Sequence, residues 1–168
     1  TWIVGFLFYS HGKPSRYHNG RFKTGRWYKI HHPAAFRKEI MMMDTNDNYL
    51  LVVDDDSSVR NSLVNFFEDH NFKVFAAESA EHAFEIAEIA KCAAAIVDMR
   101  LPGMTGEEFI IKIHKTLPAL KCLIYTGSAG FGLTPALEDI GITAGHVFDK
   151  PLEDLNVLLE AVNRLLKG

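Results

Sequence analysis

The chain has 168 residues, 48% of them apolar and 23% charged, with a formal net charge of -3. That balance excludes a fibrous or wholly disordered chain and suits one globular domain with a short appendage. No apolar run approaches the roughly 20 residues of a bilayer-spanning helix, so no membrane partner is expected.

The charge is unevenly spread. Residues 1–40 carry eight Lys/Arg against one acid, Glu39, a net of +7, whereas residues 41–168 carry ten against twenty, a net of -10. The leader, residues 1–48, holds Gly5, Gly12, Gly20, Gly25, Pro14 and Pro33 and no sustained period of 2 or 3.6. Its basic residues and aromatics (Tyr17, Phe22, Trp27, Tyr28) read as an arm that stacks on nucleic acid. His31 and His32 read as metal ligands, with no further ligand at suitable spacing. The pattern favours a third reading, an extension without packed structure or one foreign to the protein. Met41-Met42-Met43 stands directly ahead of the ordered pattern and suits a true start. Residues 1–9 are apolar but lack the basic leader and cleavage pattern of a secretory signal.

From Tyr49 the pattern changes. Tyr49-Leu50-Leu51-Val52-Val53 is a continuous apolar run, as expected of a strand buried on both faces of a parallel sheet, and it ends in Asp54-Asp55-Asp56. Ser57 or Ser58 can cap the helix that follows, with Asp56 as another cap or a solvated acid. That helix carries Val59, Leu63, Phe66 and Phe67 on one face and stops at Asn71. Residues 73–77 form a second strand. Ser79 opens a helix with Ala83, Phe84, Ala87 and Ala90 inward. Residues 93–97 form a third strand that ends at Asp98, and a Pro102-Gly103 turn follows. Residues 106–116 form a helix with Phe109, Ile110 and Ile113 apolar, stopped by Pro118. Residues 120–125 form a fourth strand, followed by Thr126-Gly127-Ser128 and a glycine-rich loop. A short helix begins near Pro135 and ends by Gly141. Residues 145–148 form a fifth strand, then come Asp149-Lys150-Pro151 and a helix with Leu155, Leu158, Leu159, Val162 and Leu165 inward. Cys92 and Cys122 sit in or beside apolar runs and read as reduced core thiols of an intracellular protein.

Five strand–helix repeats predict a doubly wound α/β fold, with parallel strands, right-handed crossovers and helices on both faces. Ligands of such sheets bind outside the carboxyl ends of the strands. The groups at those ends are Asp54, Asp55, Asp98, Thr126 and Lys150. Three carboxylates at one edge repel one another, and one must take a proton unless a cation neutralises them. Mg²⁺ suits a few carboxylates with water and phosphate oxygens, and Mn²⁺ can stand in for it. Lys150 and Thr126 add the ammonium and hydroxyl that the outer oxygens of a phosphoryl group need. Together they predict in-line transfer of a phosphoryl group to a carboxylate.

Four blocks carry a resemblance. They are Val52-Val53-Asp54-Asp55-Asp56, the run from Ile96 through Asp98 and Pro102-Gly103 to Gly106, Tyr125-Thr126-Gly127, and Asp149-Lys150-Pro151. In this order and spacing the chain resembles the receiver domain of two-component response regulators over residues 49–168. The resemblance implies a flavodoxin-like five-stranded sheet of order 2-1-3-4-5. It implies Asp98 as phosphoacceptor, Asp55 binding Mg²⁺ directly, Asp54 binding it through water, and Arg100 offering its backbone carbonyl. Thr126 and Lys150 would hold the phosphoryl oxygens, and Lys150-Pro151 would be cis. The donor would be a phosphohistidine on a histidine kinase or phosphotransfer protein. Such a domain is a phosphoacceptor that assists its own phosphorylation and dephosphorylation rather than an enzyme. It is cytoplasmic, signals to a downstream protein through its helix 4–strand 5 surface, and admits a receiver homodimer. Nothing after Leu166 forms an output domain, so the reading is either a stand-alone receiver or a chain cut before its effector, and nucleic acid would enter only through such a missing effector domain.

Some positions depart from the family pattern. The switch position in strand 5 is Val147, between His146 and Phe148, where the family often has an aromatic. The positions two beyond the acceptor and two beyond the threonine, which tune hydrolysis, are Arg100 and Ser128, with Gly127 between Thr126 and Ser128. Two other functions compete. One is an unphosphorylated receiver acting as an interaction scaffold, which the intact acid cluster argues against. The other is an aspartyl-phosphate phosphatase of the haloacid-dehalogenase type, which needs an acid where Arg100 stands. His70, His82, His114 and His146 read as structural, and Met99 and Met104 as packing.

Overall fold

The computed structural model describes residues 48–128 and 130–167. The readings made of the leader, its histidines and residues 41–43 lie outside them. Leu50 to Val53 are wholly buried, which places β1 (Tyr49–Val53) inside the sheet, as its unbroken apolar run predicts. All pairs are parallel and the order is the expected β2-β1-β3-β4-β5, with β2 at Lys73–Ala77, β3 at Ala94–Val97, β4 at Lys121–Thr126 and β5 at Val147–Asp149.

Helices cover both faces: α1 (Ser57–Asp69), α2 (Ala80–Glu85), α3 (Gly106–Thr116), α4 (Pro135–Asp139) and α5 (Asn156–Lys167). Because strand side chains alternate, each central strand feeds two cores. Leu51, Val53, Val97 and Ile124 meet Phe109, Ile110, Ile113 and Leu137 on one side. Leu50, Val52, Ile96 and Leu123 meet Leu63, Phe67, Leu158 and Val162 on the other. Cys92 and Cys122 are buried free thiols, and burial pushes both up to about 12. No described helix is long and apolar enough to cross a membrane.

The structure corrects several details. Asp56 caps α1, not Ser57 or Ser58. On extended backbone its carboxylate takes the N–H groups of Ser58 (2.8 Å) and Val59 (3.3 Å), which hold it below the usual carboxylate range. Asn71, just past α1, has φ 63°, a turn conformation that asparagine tolerates. Ser79 caps α2 as expected, but α2 stops at Glu85 and a 3₁₀ turn follows at Ala87–Lys91. Phe84 and Ala90 are exposed, while Ile86 and Ile89 pack on the core instead. Two isoleucines remove more apolar area from water than the alanines of a continuous helix would. Of the last helix's expected inward set, Leu155 lies ahead of it, Leu159 and Leu165 are half-buried, and Ala161 joins Leu158 and Val162 in the core.

β4 extends through Thr126, and β3 begins at Ala94. β5 begins only at Val147, because residues 144–146 form a 3₁₀ turn. His146 causes this. Its Nδ1 accepts the Thr143 N–H at 2.9 Å and closes a cap just where the strand was expected to start.

Leu137 is the buried residue of α4. Leu137→Ala is expected to cost about 2–4 kcal/mol, read as a lower urea midpoint with an unchanged slope. Burial first, then the charges of Arg164 and Lys121, hold the His146 imidazole below its ordinary range. The folded state thus prefers it neutral. Its stabilisation is full above about pH 6.5 and is lost as the pH falls through the lower folded value. His146→Asn keeps an acceptor without a titration, so unfolding midpoints followed from about pH 7.5 to 5.5 should decline less steeply than in the parent.

Candidate functional site

The site assembles where β1 and β3 leave the core side by side. The Asp98 N–H donates to Val53 O at 2.8 Å and the Asp54 N–H to Ala77 O at 3.1 Å, so the ladders continue one residue past each strand. Asp54 is 2% and Asp98 7% exposed. A third strand end supplies their counter-charge. Lys150 follows β5, and its N–H donates to Thr126 O at 2.8 Å, ahead of a cis bond to Pro151. From there its Nζ donates to Asp54 Oδ2 at 2.6 Å and to Asp98 Oδ2 at 2.8 Å. The ammonium also stands 5.5 Å from the centre of the Tyr125 ring, whose hydroxyl takes the Leu152 N–H at 3.2 Å.

The outer oxygens have backbone partners. Asp54 Oδ1 takes the Asp56 N–H at 3.1 Å and Asp98 Oδ1 takes the Arg100 N–H at 3.2 Å. Burial alone would drive the Lys150 ammonium down, but the two carboxylates reverse this and hold it above its ordinary value. Burial pushes the Asp54 carboxyl up, against the pull of Lys150 and with the help of the Asp98 charge. Asp55 is exposed, yet one carboxylate oxygen each from Asp54, Asp55 and Asp98 lie within 4.8 Å of one another. Three carboxylates thus face one ammonium. An all-oxygen set with surplus negative charge fits a hard divalent cation.

Thr126 is wholly buried at the end of β4, paired with Asp149, and its hydroxyl oxygen takes the Ser128 N–H at 3.3 Å. Among the described hydrogen bonds, that hydroxyl is tied to its own loop and not to the carboxylates. Gly127 is not required by crowding, since an added Cβ would meet only Lys150 Cβ at 3.9 Å. Val147 pairs with Ile124 and lies half-buried against the α3–α4 core.

Several contacts were not read from the sequence. The Arg100 Nε donates to Ser128 Oγ at 2.6 Å and joins the loops that follow β3 and β4. Arg60 Nη1 donates to the carbonyls of Asp54 (2.6 Å) and Asp55 (3.2 Å), pinning the acidic turn from the first coil of α1. Glu81 Oε1 takes the Met104 N–H at 3.0 Å, and Thr134 donates to Glu107 at 2.6 Å. The Arg60 bonds span five and six residues, and the other partners lie 23 to 28 residues apart and leave no periodic trace. Gly106 does leave one, as a glycine eight residues past Asp98 at a helix start. A Cβ there would stand 2.0 Å from the Asp98 carbonyl oxygen.

The sequence pattern of the family described as "Response regulator receiver domain" matches residues 50–163. The chain is 28% identical to the transcriptional regulatory protein FixJ of Rhizobium meliloti over 113 residues, which are 67% of this chain and 54% of FixJ. It is 34% identical to a cyclic di-GMP phosphodiesterase of Thermotoga maritima over 80 residues, 48% of this chain and 21% of that protein. The chain therefore spans about half or less of the curated relatives it matches. Among solved structures it is similar to a CheY-like receiver domain of Methanospirillum hungatei, with 27% identity, a TM-score of 0.62, and 73% of this chain and 95% of that one covered. The response regulator TrrA of Thermotoga maritima, in its complex with Mg²⁺ and BeF, shares the fold at 22% identity and a TM-score of 0.61, over 71% of this chain and 99% of that one.

Helix propensity favours alanine over glycine by about 1 kcal/mol. Gly106→Ala should nevertheless destabilise, by about 3 kcal/mol, because the new methyl displaces the Asp98 backbone. Equilibrium urea unfolding would show it, and a gain in stability would contradict the close approach.

Proposed function

The chain belongs to the receiver-domain family of response regulators, and from that premise we propose that residues 49–168 accept a phosphoryl group on Asp98 from a phosphohistidine of a histidine kinase or phosphotransfer protein. One observation carries this reading: a desolvated ammonium, Lys150, holds Asp98 and Asp54 together inside a three-carboxylate cluster.

In the proposed reaction a carboxylate oxygen of Asp98 attacks phosphorus, the phosphorus–nitrogen bond breaks, and its electrons return to the donor imidazole. Asp54, Asp55, Asp98 and the Arg100 carbonyl would hold Mg²⁺, which when bound offsets the charge of the phosphoryl oxygens. Lys150 needs no new desolvation to serve those oxygens. It turns from Asp54 toward the incoming group, and its charge is fixed by the carboxylates that flank it. Thr126 exchanges its Ser128 N–H for a phosphoryl oxygen, with its hydroxyl now donating. That exchange bears on the loop before α4, on Val147 in β5, and on the contact from Thr134 to Glu107. The result is a population shift between two packings of the α4–β5 face, read by a downstream protein. A phosphorelay role of this kind places the domain in the cytoplasm.

Intact mass spectrometry after incubation with acetyl phosphate and Mg²⁺ tests the assignment. The parent is expected to gain one phosphoryl group. Asp98→Asn should lose that gain, and EDTA should suppress it in the parent. Equal labelling of Asp98→Asn would overturn the role given to Asp98.

A further inference from the structure

At the opposite end of the strands from Asp98, a cavity of about 280 Å³ opens between α3, the turn that follows α4, α5 and the start of β4. It exists because β5 is short. β5 pairs only with Ile124, Tyr125 and Thr126, so Lys121, Cys122 and Leu123 have no ladder partner on that side. The 3₁₀ turn capped by His146 stands there in place of a strand, and His146 lines the cavity.

Its floor is apolar and buried, with Ile110, Leu120 and Ile142 contributing. Its rim is basic. Lys121 and Arg164 are exposed, and His114 and His146 are half-buried. No carboxylate lines it, although residues 41–168 carry twice as many acids as bases. Among the described residues, no acid stands within ion-pair distance of Lys121 or Arg164. Their charge reaches inward, since both help to hold the His146 imidazole below its ordinary range.

An apolar floor under an uncompensated basic rim is complementary to an amphipathic anion. The apolar body displaces water from the floor, and the charged end meets the fixed cations. At about 280 Å³ the volume lies just below the roughly 300 Å³ at which drug-sized ligand pockets begin, which suits a smaller ligand. We propose that this cavity binds a small organic anion, a single carboxylate carried on a ring or branched apolar body. The site shares no residue with the carboxylate cluster, so it stands or falls apart from the phosphoacceptor reading.

Benzoate is a suitable probe, titrated into the full chain at about pH 7.5, where free imidazoles are neutral. Amide resonances of Gly141, Ile142 and His146 are expected to shift saturably in ¹H–¹⁵N spectra. Lys121→Gln and Arg164→Gln, both at exposed positions, should each weaken binding about tenfold. Benzyl alcohol, which lacks the charge, and inorganic phosphate, which lacks the apolar body, should each bind at least about tenfold more weakly. Shifts that never saturate would overturn the proposal. So would equal binding of benzyl alcohol or phosphate, or a double Lys121→Gln, Arg164→Gln variant that binds benzoate like the parent.

Discussion

The bridge from Lys150 Nζ to Asp54 and Asp98 is the constraint on which the rest of the site depends. Two carboxylates nearly withdrawn from water, on adjacent strands, would repel each other and favour protonation. One ammonium between them makes the arrangement tolerable, and backbone N–H groups at Asp56 and Arg100 occupy the outer oxygens. Buried ion pairs of this kind add little net stability, because desolvation opposes the attraction. What the bridge supplies is order. It ties the ends of β1, β3 and β5 to one point and leaves a surplus of negative charge there.

The fold meets the demands of that point in several places. A parallel sheet buried on both faces brings three strand ends to one edge. Gly106 lets α3 start against the Asp98 carbonyl. Arg60 grips the turn after β1 through its carbonyls and not through the Asp54 and Asp55 carboxylates. The Arg100–Ser128 bond then joins the two loops whose movement would carry a signal away from the site. The same topology leaves the other edge unevenly covered, since a three-residue β5 cannot pair with the whole of the six-residue β4.

Much of the fold was legible in the chain. Strand cores and the boundaries of α3 follow from apolar runs and Pro118, which are local signals. The errors share one cause. α2 breaks at Ile86 because two isoleucines reach the core better than alanines, and β5 starts late because the His146 ring caps its own turn. In both, a particular side chain's contact outweighed the average preference of the segment. The candidate site divides in the same way. Asp54, Asp55, Asp98 and Lys150 were readable as strand-end groups, and the structure brings them together. Thr126 lies at its expected strand end, but its hydroxyl bonds locally.

By itself the sequence determined which residues could form a strand, which turns could hold a charge, and that the carboxylates must share an edge. Alternation, capping and the cost of burying a charge act within a few residues and need no knowledge of the whole. Only the tertiary structure decided that Lys150 bonds two acids at once, that Arg100 reaches Ser128, and that Arg60 spends its guanidinium on carbonyls. It alone decided that His114, Lys121, His146 and Arg164 share a rim free of acids. Apart from the Arg60 bonds, which span five and six residues, those pairings join residues far apart in the chain. Each depends on where a flexible side chain ends once the backbone has set its neighbours, which composition and spacing do not encode.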